Sequence, residues 1–359
     1  MTRRTYIDWL RGWAVVIMVF AHTMDSWTRS GDRATVWYDV VVKIAGMAAP
    51  LFLFLAGVGI AFSARKSLVS QASPWAAGRA MRRRGWQILG LGFLFRIQAW
   101  LLSPGATLAG LLKVDILNIM GPAMVVAATA WSLGRTSMVR GLVLAAAASA
   151  FSLLTPIVRA SDWLALWPDW LEWYLRPPQG RSWFALFPWA GLLIAGTVAG
   201  ECLAGTHDQA SERRRLGWLG ASGAAIAALS VAGSFMPSLY ANTYFWTTSR
   251  SYFFLRIGLM TLLLPLAWFR CRGWSPTRFS PFVQLGRTSL FIYWIHVEIV
   301  YGIASWPLHR SLPLAWAFTA FVVFTGLMLW ASIARTRIAA RWNRPGKGSR
   351  PAVSIAQEA

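Results

Sequence analysis

Apolar stretches long enough to cross a bilayer recur along almost the whole chain, separated by short basic or Gly/Pro-containing breaks. Such a chain predicts an all-α, polytopic integral membrane protein, because a single helix satisfies its own backbone hydrogen bonds in lipid. Ten segments qualify as spans, at about 9–27, 36–63, 85–103, 109–131, 139–158, 183–204, 216–235, 252–269, 282–303 and 312–334. Composition agrees where it matters. The formal charge of +22 would suit a nucleic-acid binder, but only 13% of residues are charged and 56% are hydrophobic. There is too little polar surface for that role, so membrane lipids are the expected partner and nucleic acid is not. Intrinsic disorder is excluded by the same hydrophobicity.

The bases sort by place. Of the 35 Lys and Arg, 22 fall at the termini and in alternate loops: Arg3 and Arg4, Arg65 to Arg84, Arg135 and Arg140, Arg213 to Arg215, Arg270 to Arg278, and Arg335 to Arg350. The intervening loops hold seven. By the positive-inside rule both termini are cytoplasmic, which an even number of spans requires. The reading is a plasma (inner) membrane protein with one transmembrane domain over residues 1–335 and a disordered basic tail over 336–359. The first run carries Asp8 and Arg11 and no small-residue cleavage site, so it is read as a retained signal anchor. Cys202 and Cys271 fall at inner span ends, where neither a disulfide nor a metal site is expected.

Six bases (Arg11, Lys43, Arg96, Lys113, Arg256, Arg287) and six acids (Asp8, Asp25, Asp39, Asp115, Glu201, Glu298) lie inside or at the edges of spans. Charges there are costly unless they face one another or a wet cavity. Most fall at one depth in the outer half, which predicts a polar cavity open to the extracytoplasmic side. Snorkelling competes for the edge residues Asp25, Asp39 and Lys113 but accounts poorly for Arg96, His22 and His296.

Span 1 carries the sharpest pattern. Arg11 and His22 are eleven residues apart, which brings them within about 20° on a helix and separates them by about 16 Å. Asp8 and Asp25 lie within about 60° of the same stripe. An isolated apolar-helix histidine is usually structural, but this one is aligned with base below and acid above. A neutral His22 suits proton abstraction from a hydroxyl or amine, oriented by Asp25. Arg11 is too distant to share that proton and suits a phosphate entering from the cytoplasm.

These residues resemble a family. Arg11 and His22 form the R-x10-H spacing of acyltransferase-3 membrane acyltransferases, within YIDWLRGWAVVIMVFAHTMDSW. APLFLFLAGVGIAFSARK resembles the Phe-rich second span of that family. LKVDILNIMGPA (Asp115, Asn118), FALFPWAGLLIAG (Phe187 to Trp189) and LGRTSLFIYWIHV (Arg287, Tyr293, His296) resemble heparan-α-glucosaminide N-acetyltransferase-type proteins. The resemblance implies transfer of an acyl group, acetyl or another, from cytoplasmic acyl-CoA across the membrane to an extracytoplasmic glycan or lipid-linked sugar. His22 takes the role of catalytic histidine, as base or acyl carrier, with Arg11 and Asp25. Arg96, Asp115, Asn118, Arg256, Tyr293 and His296 are assigned to substrate, and Arg11 and Arg287 to acyl-CoA. No metal is expected. In the heparan-type enzymes the histidine lies beyond the first span, whereas loop 28–36 here has none. That departure favours the acyltransferase-3-like use of His22 and leaves N- versus O-acylation open.

Other readings stand beside this one. On a straight span 9, Tyr293 and His296 share a face while Arg287 and Glu298 point away. Arg82 to Arg84 and Arg213 to Arg215 suit CoA phosphates or serve only as orientation signals. His207 and His309 sit in loops with no specific role. The segment Trp163 to Trp189 reads as an interfacial anchor, or as a stacking platform or lid for a sugar. A transporter with a polar cavity is the alternative function, although paired broken helices and repeats are not evident; an assembly factor is third.

Overall fold

A computed structural model describes residues 4–71, 73–102, 107–177, 184–206, 208–240, 244–274 and 278–342. Those residues form helices α1 (Thr5–Trp27), α2 (Val36–Ala45), α3 (Ala48–Leu68), α4 (Pro74–Leu102), α5 (Ile116–Leu133), α6 (Ser137–Ala160) and α7 (Asp169–Leu175). They continue with α8 (Leu186–Ala204), α9 (Gln209–Ser234), α10 (Arg250–Cys271), α11 (Pro281–Arg287), α12 (Ser289–Tyr301) and α13 (Leu314–Trp342).

Seven described helical segments are long and apolar enough to cross a membrane. They contain α2–α3 taken together, α5, α6, α8, α9, α10 and α13. The remaining predicted spans are helical too, but α1 and α4 carry charges along their length and α12 has 13 residues. The last helix runs to Trp342, into the stretch expected to be a disordered tail. Residues 343–359, His207 and Arg181 lie outside the described residues.

Two close approaches hold the bundle together. A Cβ on Gly57 would run into the Leu193 carbonyl, and one on Gly196 into the Phe54 carbonyl, so α3 and α8 pack backbone against backbone. Gly12 against Phe282 and Gly286 against Asp8 do the same for α1 and α11. α1 also packs against α12, where the Ser26 hydroxyl donates to the Val300 carbonyl at 3.0 Å. Span 9 is not one straight helix: it breaks at Thr288, whose ψ of 18° interrupts the helical run.

One end of the bundle is basic. Arg4 donates to the Leu203 carbonyl at 3.0 Å, Arg215 to the Cys202 carbonyl at 2.5 Å, and Arg140 to the Gly134 carbonyl at 3.0 Å. These bonds satisfy helix-terminal carbonyls that have no intrahelical donor. Buried Glu201 accepts from Trp131 at 2.8 Å and Ser137 at 2.9 Å and lies 3.6 Å from both Arg140 and Arg65. It is therefore a structural tie between α5, α6, α8 and α3. At the opposite end, Thr28 and Leu312 form a bridge, and the Leu314 N–H donates to Asp32 at 2.7 Å.

Candidate active site

A cavity of about 2370 Å³ penetrates the bundle. Its lining runs along α4 from Ala76 to Trp100, roughly 36 Å of helix, a length that matches the hydrocarbon thickness with its interfaces. The predicted outer-half cavity is thus only part of it. Arg79, Arg83 and Arg84 line the basic end, and Asp25, Arg33 and Lys113 line the other.

His22 lies on this cavity, and behind it sits His296, which is fully buried. The two rings are nearly coplanar, 9° apart, with His22 Nδ1 2.8 Å from His296 Nε2. His296 Nδ1 lies 2.7 Å from the Ile292 carbonyl. A carbonyl only accepts, so that nitrogen carries the proton of the neutral ring. Nε2 of His296 is then an acceptor, and His22 donates to it from Nδ1. The remaining nitrogen of His22, Nε2, is left as a base. The helix backbone of α12 sets the tautomer of a histidine on α1.

Asp25 and Asp115 both line the cavity, and each is held by partners other than His22. Asp25 was expected to orient His22, but its hydrogen bonds among the described residues go elsewhere: it pairs with Arg33 at 2.6 Å and accepts from the Tyr301 hydroxyl at 3.0 Å. Tyr301 in turn presents its ring to the edge of His22, with centroids 5.6 Å apart. Asp115 caps α5 and accepts from the Tyr293 hydroxyl at 3.0 Å. Among the described residues neither carboxylate is hydrogen-bonded to His22.

The family model for the heparan-alpha-glucosaminide N-acetyltransferase catalytic domain matches residues 3–240. The chain belongs to that family. It is a membrane acetyltransferase-like protein. A comparison with curated proteins returns no match. The acetyltransferase stretch contains His22, Arg96, Asp115 and Arg159, whereas Arg256 and Tyr293 reach the cavity from helices beyond it, and His296 stands behind His22 from α12.

The other residues expected in the site divide. Arg11, Arg96 and Arg256 line it. Arg11 lies 3.7 Å from Asp8 and donates to the Leu55 carbonyl at 3.4 Å. Arg96 donates twice to the Gly110 carbonyl, at 3.1 and 2.8 Å. Asn118 is not in the lining: its Oδ1 accepts from the Asp115 backbone N–H at 3.2 Å and closes the capping box of α5. Arg287 is also outside the lining and lies 3.7 Å from Asp8 instead. Glu298 does line the cavity alongside Tyr293, contrary to the straight-helix expectation, because the cavity wraps around α12. Arg82 turns away onto the Trp75 ring, 4.0 Å from its centroid, while its neighbours Arg83 and Arg84 face inward.

Of the described tryptophans between Trp163 and Trp189, only Trp189 lines the cavity. Trp163 and Trp167 pack edge-on against each other with centroids 5.3 Å apart. Sequence reasoning missed Tyr301, Arg79, Arg159 and Trp246 as lining residues. Arg159 had the only available signal, a base at the last turn of a long apolar helix. Among the described residues no group of three or more His, Cys, Asp or Glu is placed to hold a metal ion.

Proposed function

We propose that this chain transfers an acyl group, acetyl first, from acyl-CoA at the basic end to a hydroxyl or amine of a sugar acceptor at the opposite end. The observation that carries the reading is the His22–His296 pair opening, through His22, onto a cavity long enough to admit reactants from both sides of a bilayer. By the positive-inside rule the basic end faces the cytoplasm of a plasma (inner) membrane, where acyl-CoA is available.

In this mechanism Arg79, Arg83 and Arg84 receive the CoA phosphates. Arg11, about 16 Å along α1 from His22, holds the donor where its arm points toward the histidine. His22 Nε2 takes the proton of the acceptor O–H or N–H as that atom attacks the thioester carbonyl. The C–S bond breaks and the imidazolium returns its proton to the departing thiolate, so the products are the acylated acceptor and free CoA. His296 keeps the ring oriented by accepting from Nδ1, and the charges of Asp25 and Asp115 offset the transient imidazolium.

The test is transfer of label from acetyl-CoA to a hexosamine by the purified protein in nanodiscs. His22→Ala should abolish transfer while the protein remains monodisperse. Full activity in that variant would remove His22 from the mechanism.

A further inference from the structure

Several charges within the bundle have an opposite charge beside them. Arg140 meets Glu201, and Arg11 and Arg287 meet Asp8. Arg159 and Arg256 differ. Both line the cavity, and among the described residues neither has a carboxylate within salt-bridge distance. Among the described residues Arg159 donates to the Phe187 carbonyl at 3.2 Å, and Arg256 to the Tyr252 hydroxyl at 2.8 Å. The Nε atom of each is buried without a hydrogen-bond partner. Two guanidinium groups held in this state inside a bundle call for an anion from elsewhere.

The surroundings indicate what carries that anion. Arg256 lies over the ring of Tyr252 at 4.0 Å and that of Trp189 at 5.8 Å. Trp246 packs edge-on against Tyr252 at 5.0 Å, and Lys43 lies 5.8 Å from the Trp246 ring centroid. Arg159 reaches the same wall through Phe187, two residues before Trp189. The result is a continuous surface of three cations and three aromatic rings, all lining the cavity. Aromatic faces suit the apolar face of a sugar ring, and guanidinium groups suit phosphate or carboxylate. The wall stands at the end opposite Arg79, Arg83 and Arg84: Arg159 is in the last turn of α6, Arg256 near the start of α10, and Lys43 in the last turn of α2.

We infer that the acceptor is an anionic sugar, and that Lys43, Arg159 and Arg256 bind its phosphate or carboxylate while Trp189, Trp246 and Tyr252 bind its ring. This rests on the acyltransferase reading and names the acceptor's chemical class.

The experiment measures binding to the full chain in phosphatidylcholine nanodiscs by calorimetry, with glucose, glucose 1-phosphate, glucuronic acid and CoA as probes. The two anionic sugars should bind about 30-fold more tightly than glucose, and Arg256→Gln and Arg159→Gln should each remove that preference. CoA affinity should stay within about two-fold, because its phosphates lie at the other end. Lys43 is exposed, so Lys43→Gln folds regardless and should weaken the anionic sugars alone. The ratio of the two anionic sugars tells phosphate from carboxylate. Glucose binding as well as its anionic relatives would overturn the inference. So would loss of CoA affinity in the arginine variants, which would give the wall to the donor. A third contrary result is displacement of the sugars by phosphatidylglycerol in the nanodisc, which would mark a lipid-headgroup site. Failure of the acyltransferase reading looks different: the parent protein would transfer no label from acetyl-CoA to any sugar while the charge preference persisted.

Discussion

His296 accepts from His22 with one ring nitrogen and donates to the Ile292 carbonyl with the other, so a backbone group on α12 dictates which nitrogen of His22 faces the cavity as a base. The arrangement does the work that a carboxylate does in many histidine-based sites, with no buried charge to desolvate. In the proposed mechanism His296 is a positioning residue. His296→Leu should lower kcat by about 10²-fold with little change in KM, whereas His296→Gln, which keeps an acceptor, should retain more activity. The pH–rate profile separates this from simple misfolding: activity should still fall as pH drops and His22 gains a proton, but the apparent pKa of that limb should move in the variants.

Donor affinity should depend on the basic end. Arg83→Gln and Arg84→Gln should each raise KM for acetyl-CoA about ten-fold with kcat unchanged, and raised salt should have the same effect on the parent protein. Arg82→Gln is the control, because Arg82 lies on Trp75 and not in the cavity. Steady-state kinetics across a salt series decides it.

The Arg140–Glu201 tie supports the fold and not the chemistry. Arg140→Met leaves buried Glu201 with Arg65, which is itself partly exposed, as its one ion-pair partner among the described residues and should cost about 3 kcal/mol of stability. Adding Glu201→Gln should recover part of that, since glutamine removes the charge and still accepts from Trp131. Thermal unfolding of the single and double variants in one detergent measures the difference.

Asp32 gives the loop end a defined acid sensitivity. The Leu314 N–H and then Arg29 hold its carboxyl below the usual range. A carboxylate depressed on folding contributes stability above its unfolded value near 3.9, and that contribution is lost as pH falls through the folded value. Asp32→Asn should therefore lower the melting temperature at pH 7, with the gap to the parent protein closing below about pH 4. A melting curve at each pH tests it.

How far the site could be read from sequence depends on the kind of residue. His22, Arg11 and Arg256 were legible because charge or imidazole in an apolar run is conspicuous, and all three line the cavity. Arg287 drew attention for the same reason and Asn118 through its motif, yet one lies against Asp8 and the other caps a helix. Nothing local distinguishes a polar group that serves a helix end from one that serves a ligand. The geometry of span 9 was misjudged because an unbroken apolar run conceals the break at Thr288.

The sequence by itself determined a helical membrane bundle, the alternation of its bases and the histidine stripe of α1. Those follow from hydropathy, charge and a 100° period, which are properties of a single segment. Only the tertiary structure decided which side chains meet. The packing of α1 against α12 brings His296 behind His22 and Tyr301 to Asp25, which also pairs with Arg33. The convergence of α2, α6, α8 and α10 places Lys43, Arg159, Trp189 and Arg256 on one wall. Those meetings depend on contacts between residues up to hundreds of positions apart, and no periodicity within one helix encodes them.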